Sequence, residues 1–256
     1  MTNTKHEQRR RRGIYLLPNL LTTGALFAGF YSIVAAIDGN FARAAGAIYV
    51  AIFLDGLDGR VARMTSTESD FGKEYDSLAD MVSFGLVPAI VTYQWGVERL
   101  AEYGVAWGRV GWLAAFLFTV AAAFRLARFN TNPVSDKRYF EGLPSPSAAA
   151  VIAGMVWISA AYQIQGLTAI VAGISISVLT GLAMVSGFRY LSFKDFNLSG
   201  RMPFANVLFI PLVLIVVALN PPVVLFSFFV MYAISGPFIA LIRVCRRDKG
   251  LETRHS

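Results

Sequence analysis

Apolar residues fall in eight long runs separated by short polar joints, at roughly 15–37, 41–64, 75–97, 107–127, 145–163, 167–187, 204–219 and 222–243. Each run approaches the ~20 residues that carry a helix across a bilayer. The pattern predicts an all-α integral membrane protein of about eight transmembrane helices. The last joint is Asn220-Pro221-Pro222, which is also readable as prolines inside one membrane helix. The polar remainder sets the boundaries: a basic tail over 1–13, a helical core of about six spans over 14–200, two additional spans over 201–244, and a second basic tail over 245–256.

Composition agrees with a membrane protein. The chain of 256 residues is 55% hydrophobic, with mean hydropathy +0.54 and net charge +7, which excludes an ordinary soluble domain. With the N-terminal tail in the cytoplasm and eight alternating helices, 20 of the 23 Lys and Arg fall on the cytoplasmic side. Only Arg43, Arg99 and Arg109 fall on the far side. The asymmetry is the positive-inside pattern, and it predicts two cytoplasmic termini and a multi-pass protein of the cytoplasmic membrane. Arg9–Arg12 then serve as a topological anchor, or bind anionic headgroups. No cleavable signal peptide is expected, because the basic start leads into a full-length apolar run. The short loops hold no nucleic-acid-binding module, and no internal repeat stands out. Cys245 is the sole cysteine, so no intrachain disulfide or cysteine metal cluster is expected. His6 and His255 lie in the tails, away from any chemistry inside the membrane.

Four carboxylates break the apolar pattern. Asp55 and Asp58 end the second run, and Asp76 and Asp80 open the third. An ionisable group at that depth costs typically ~2.5–3.5 kcal/mol on insertion scales, so these four are functional candidates. Spacings of three and four place each pair on one helix face. Two such faces brought together form an acid cluster that repels itself unless protons or cations share it. An all-oxygen cage suits a hard divalent ion such as Mg²⁺ or Mn²⁺.

In full the stretch reads Asp55-x-x-Asp58-Gly59-x-x-Ala62-Arg63, eight residues, then Gly72-x-x-x-Asp76-x-x-x-Asp80. It resembles, at every fixed position, the signature of the CDP-alcohol phosphotransferases. These membrane enzymes move a phosphoryl-linked group from a CDP-activated donor to an alcohol and release CMP. The resemblance implies Asp55, Asp58 and Asp76 as ligands of two divalent cations, Mg²⁺ or Mn²⁺. Asp80, at the same metal site, is implied as the general base on the acceptor hydroxyl. Physical chemistry points the same way. A pyrophosphate donor needs its charge neutralised, two metals can clamp attacking and leaving oxygens, and Gly59 and Gly72 let a nucleotide approach the backbone. Arg63 suits phosphate oxygens in a forked geometry.

Further stretches extend the resemblance over roughly residues 14–200. Pro18-Asn19-Leu20-Leu21-Thr22 is similar to the family's P-N-x-x-T element, which implies Asn19 and Thr22 on the nucleotide side. A local reading also exists: Pro18 starts a helix and Thr22 bonds its own backbone. Phe124-Arg125-Leu126-Ala127-Arg128-Phe129-Asn130 and Phe140-Glu141-Gly142-Leu143-Pro144-Ser145-Pro146 resemble stretches of the membrane-embedded phosphatidylserine synthases within the family. Arg189-Tyr190-Leu191-Ser192-Phe193-Lys194 fits that subgroup too. The subgroup implies CDP-diacylglycerol and L-serine as substrates and the lipid bilayer as surroundings. Serine's carboxylate needs a cation near the acceptor hydroxyl. Arg125, Arg128, Arg189 and Lys194 are the candidates, for it or for the lipid phosphate. All four also read as positive-inside anchors, and Glu141 reads as a partner for the serine ammonium or as a solvated loop residue.

Other acceptors, glycerol 3-phosphate or inositol phosphate, would keep the fold and the acids. An Asp-rich prenyltransferase would show two well-separated acidic motifs without the Gly59-x-x-Ala62-Arg63 element. An ion transporter would show related halves with broken helices. A homodimer fits the family resemblance, and the alanine runs at 114–115 and 121–123 suit close helix packing between chains or within one.

Overall fold

The computed structural model describes residues 3–65, 67, 69–131, 139–191 and 204–252. Helix α1 (Asn3–Ile37) runs from the basic tail through the first apolar run. Arg, Lys, Glu and Gln are good helix formers, so the backbone stays helical where the hydrophobic pattern has already ended. Gly39, at φ 73°, turns the chain through the left-handed region, and the Gly39 and Asn40 N–H groups close the end of α1 on the Ala36 and Ala35 carbonyls. Helix α2 (Phe41–Thr65) then packs back along α1. The facing positions are small: Ala28, Ala35 and Ala36 on α1, and Ala44, Ala45 and Ala51 on α2. Small side chains let the backbones approach closely, which is how helices associate where lipid replaces water.

The third run is one helical path made of three pieces. Helix α3 (Asp70–Asp80) passes without a break into a π-helical turn, Met81–Leu86, and then into α4 (Val87–Trp95). The wide turn has an identifiable cause. Pro88 has no N–H to offer the Phe84 carbonyl, and the Val87 N–H reaches back five residues to Val82 O. Gly29 of α1 and Gly85 within the turn allow the tight fit, since a Cβ at either would come 3.0 Å from a neighbour, Ser83 Oγ or Ala122 Cβ. A short 3₁₀ segment, Val97–Tyr103, leads into α5 (Val105–Thr131).

Two three-residue strands were not visible in the hydrophobic pattern. β1 (Tyr139–Glu141) precedes α6 (Ser145–Ala161), and β2 (Arg189–Leu191) follows α7 (Leu167–Val185). The strands pair antiparallel, with Phe140 opposite Tyr190 and Glu141 opposite Arg189. The all-α expectation holds for the membrane body, and this ribbon is an addition to it. Helices α8 (Phe204–Leu219) and α9 (Pro221–Glu252) complete the chain, with the break at Asn220.

Among the described residues, four helices are long and apolar enough to cross a membrane: Leu17–Ile37, Val105–Thr131, Leu167–Val185 and Pro221–Ile242. α2 falls outside that group because Arg43, Asp55, Asp58, Arg60 and Arg63 interrupt it. The α3–α4 path is outside it because its first piece is polar. The core has two main centres. One joins α1, α2 and α4 to α6 around Ile48, Phe84, Val91 and Val156; the other joins α5, α6 and α7 around Phe118, Leu143, Ile152 and Met184.

Candidate active site

The acids meet because the turn between α2 and α3 is short and internally bonded. The Thr67 N–H closes on the Ala62 carbonyl at 3.0 Å, and the Thr65 and Thr67 hydroxyls lie 2.7 Å apart. Ser69, with extended backbone angles, caps α3 by accepting the Gly72 N–H at 3.0 Å. The chain therefore reverses, and the end of α2 faces the length of α3.

Carboxylate oxygens of Asp55, Asp76 and Asp80 lie within 4.8 Å of one another, all three side chains half-buried. Carboxylates this close are all acceptors when ionised, so they repel one another unless a proton or a cation is shared among them. Asp76 Oδ1 is buried and has no hydrogen-bond partner among the described residues. Buried polar atoms are rarely left so. A cluster of converging oxygens, one of them orphaned, is what a hard divalent cation would complete. Asp58 stands one step aside. It is 5% exposed and accepts from the Thr22 hydroxyl at 2.7 Å. Thr22 Oγ1 also lies 3.1 Å from the Pro18 carbonyl, but its one proton goes to the nearer, charged acceptor.

Helix α1 thus supplies the second wall. Thr23 donates to the Asn19 carbonyl at 2.7 Å, which leaves Tyr75 as the donor in the 2.9 Å bond between Tyr75 and Thr23. A Cβ on Gly72 would come 3.1 Å from Ser69 Oγ and 3.2 Å from Asn19 Oδ1, so a methyl there would have to push those side chains aside by a few tenths of an ångström. Gly59 differs: its missing side chain faces open space, with nothing within 4 Å. Ala62 is half-buried, and the exposed Arg63 turns Nε to the Gly59 carbonyl at 2.9 Å.

On the other side lies α5. Arg125 is 9% exposed and donates from Nη1 to Ser145 Oγ at 2.9 Å, while its buried Nε has no partner among the described residues. Its charge is within reach of Asp80 and of Arg128. Asn130 donates to Ser77 Oγ at 2.9 Å, tying the end of α5 to α3 between Asp76 and Asp80. Arg128 faces elsewhere. Its Nη2 donates to the Glu141 carbonyl at 2.8 Å, and its guanidinium also reaches the Val185 and Ser186 carbonyls, both at 3.4 Å. A separate cavity of about 450 Å³ lies at the opposite end of α2, lined by Asp38, Asn40, Trp95, Arg99 and Gln163, and shares no residue with the acids.

A family profile described as CDP-alcohol phosphatidyltransferase matches residues 15–191, more than half of the chain, and contains every acid of the cluster. The chain belongs to this family. A protein of Helicobacter pylori (strain J99) named CDP-diacylglycerol–serine O-phosphatidyltransferase is 37% identical over 225 residues, 87% of this chain and 90% of that one. A protein of the same name from Methanocaldococcus jannaschii is 36% identical over 148 residues, covering 58% of this chain and 63% of its own length. A third, from Saccharomyces cerevisiae, is 31% identical over 171 residues, covering 61% and 58%.

Membership of the CDP-alcohol phosphatidyltransferases makes the chain an enzyme and the acid cluster its candidate centre. The structure brings Asn19, Thr22, Asp55, Asp58, Gly59, Ala62, Arg63, Gly72, Asp76 and Asp80 to one region formed by α1, α2 and α3. Arg125 approaches it from α5. Arg189 is exposed on β2, opposite Glu141, and Lys194 lies outside the described residues. Sequence reasoning assigned no role to Tyr75, Ser77, Asn130 or Ser145. Asn130 ends, and Ser145 lies within, the stretches that carry the subgroup resemblance, and that was the available signal. Ser77 and Tyr75 lie inside the acid motif at variable positions and carried none.

Proposed function

We propose that the protein transfers the phosphatidyl group of CDP-diacylglycerol to the hydroxyl of L-serine, giving phosphatidylserine and CMP. The observation that carries this reading is the 37% identity, over most of both chains, to a protein named for that reaction. The meeting of Asp55, Asp76 and Asp80 supports it.

Asp55, Asp58 and Asp76 would hold two divalent cations, Mg²⁺ or Mn²⁺, with Asp80 beside them. Bound there, the cations supply charge neutralisation for the pyrophosphate. The open face at Gly59 admits the CDP head, Asn19 and Thr22 lie along its path, and Arg63 meets the phosphate oxygens. Asp80 takes the proton of the serine hydroxyl. The serine oxygen bonds to the phosphorus that carries diacylglycerol, the anhydride bond to CMP breaks, and CMP leaves with that electron pair. Arg125 meets the serine carboxylate with the donors that Ser145 leaves free. Arg128 braces the loop that carries Glu141 and Gly142.

Eight spans, two cytoplasmic termini and an active site at the cytoplasmic face of the cell membrane follow from the distribution of basic residues. In that frame acyl chains stay in the bilayer while the polar head enters between α1, α2 and α5.

The test is CMP release by the purified protein with CDP-diacylglycerol and Mn²⁺ or Mg²⁺, comparing L-serine, glycerol 3-phosphate and inositol phosphate. Serine-dependent release is expected. Release with a phosphorylated acceptor and not with serine would overturn the acceptor and keep the family.

A further inference from the structure

The cavity at the far end of α2 forms where three turns meet. Residues 38–42 come from the turn between α1 and α2, Trp95 and Arg99 from the passage of α4 into the 3₁₀ segment, and residues 159–165 from the turn between α6 and α7. Its depth in the membrane follows from the spans beside it. Leu17–Ile37 ends just before Asp38, and Leu167–Val185 begins just after Gln165. Tyr162 in the third turn, Tyr103 at the end of the 3₁₀ segment and Trp107 at the start of α5 are each more than half exposed. Such aromatic residues gather where headgroups meet acyl chains. Asp55 comes fourteen residues after Phe41, a rise of about 21 Å along α2, so the cavity and the acids lie toward opposite faces of the membrane.

Polar groups in the wall are left unused by the protein. The Asp38 carboxylate has no hydrogen-bond or ion-pair partner among the described residues. Ser159 is 7% exposed, and its hydroxyl has no partner among them either. Arg99 donates from Nη2 to the Trp95 carbonyl at 2.9 Å and keeps its other donors, yet it forms no ion pair with Asp38. Gln163 adds an amide. At φ 53° it ends α6 in the left-handed region, where glycine is usual, while the Ile164 N–H closes on the Ser159 carbonyl at 2.9 Å.

A carboxylate and a guanidinium held apart in one wall select the charge of the ligand. An anion alone would meet Asp38 as a like charge, and a cation alone would meet Arg99. A zwitterion meets each with the opposite sign. We infer that this cavity binds the headgroup of an aminophospholipid, its phosphate on Arg99 and Ser159 and its ammonium on Asp38. The acyl chains lie in the bilayer beside Ile37 and Leu167, both exposed at the ends of their spans. The bound lipid ties the turn between α1 and α2 to the ends of α4 and α6. This site goes beyond the proposed function and does not depend on it.

Native mass spectrometry of the purified protein, titrated with phosphatidylethanolamine or phosphatidylglycerol, provides the test. Phosphatidylglycerol has the phosphate and lacks the ammonium. Phosphatidylethanolamine is expected to bind about tenfold more tightly, the scale of a hydrogen bond between charged groups. Asp38→Asn should abolish that preference without moving the unfolding temperature in lipid-free detergent, because it breaks no contact within the protein. Arg99→Gln should weaken both lipids about tenfold, and if it fails to fold, Asp38→Asn decides alone. Arg43→Gln is the comparison: Arg43 is an exposed cation next to the first turn but outside the wall, and its loss should leave both affinities at the parental value. Equal affinity of the parent for the two lipids overturns the inference, and so does a preference that survives Asp38→Asn. Free phosphoethanolamine binding as tightly as the lipid would give the cavity to a dissolved solute and overturn the lipid assignment.

Discussion

Thr22 donates its hydroxyl proton to Asp58 across 2.7 Å, and this bond fixes the first helix against the acid motif. Asp58 is nearly buried, so its ionised oxygen depends on that donor. Thr22→Val keeps the shape and removes the proton. The expected cost is about 1–3 kcal/mol of stability, the scale for leaving a buried acceptor unsatisfied. It is measured by thermal unfolding in detergent, and an unchanged midpoint would show that the bond does not matter to the fold.

Asp80→Asn addresses the base. Loss of a general base lowers turnover by about 10²–10⁴-fold. CDP-diacylglycerol should still bind, as read by protection against thermal unfolding. Retention of more than a tenth of the parental kcat would remove Asp80 from that role.

Chelation should separate the cations from the fold. With EDTA, CMP release is expected to stop, and Mn²⁺ or Mg²⁺ should restore it. The metal should also raise the unfolding temperature, because a ligand at 100 times its Kd stabilises by ~2.7 kcal/mol. Asp76→Asn should remove much of that rise, since Asp76 offers the orphaned oxygen. Full activity after exhaustive chelation would contradict the reading of the cluster.

Gly72 and Gly59 should respond differently to alanine. At Gly72 the new Cβ meets Ser69 Oγ and Asn19 Oδ1, both within 3.2 Å, so Gly72→Ala strains the protein itself and should lower the unfolding temperature. At Gly59 the Cβ meets nothing. Gly59→Ala should leave stability near the parental value and raise the KM for CDP-diacylglycerol, because the proposed function gives that open space to the donor. Equal effects of the two changes on unfolding would refute this.

Arg125 and Arg128 make the last contrast. Arg128→Ala releases three backbone carbonyls from one guanidinium and should cost stability first. Arg125→Lys keeps a charge but loses the fork, and should raise the serine KM first. Steady-state kinetics beside thermal unfolding of both variants decides the matter.

The parts of the site that were legible in the sequence are the local ones. Spacings of three and four put Asp55 with Asp58 and Asp76 with Asp80 on shared faces, and the short joint between the runs made their meeting predictable. What stayed hidden depends on packing between distant segments. Asn130 reaches Ser77 across 53 positions, and Tyr232 reaches Leu191 across 41. Arg125 and Arg128 are one helical turn apart and chemically alike, so no periodicity could tell which guanidinium would be taken up by carbonyls. The strands β1 and β2 are three residues each, too short to display an alternation. The π-helical turn was equally invisible, because a membrane helix tolerates proline and Pro88 alone does not announce how the backbone answers.

That turn has a bearing on how the enzyme can change over generations. Each residue advances an α-helix by about 100°. The wide turn between Asp80 and Pro88 therefore sets the phase between the acid-bearing half of the path and the half seated in the core through Val87 and Val91. Removing or adding one residue within 81–86 would leave both halves helical, yet swing Asp76 and Asp80 together away from Asp55. Substitutions are easiest at the exposed Leu86, while Phe84 and Gly85 are held by packing and the length of the segment is bound to the chemistry.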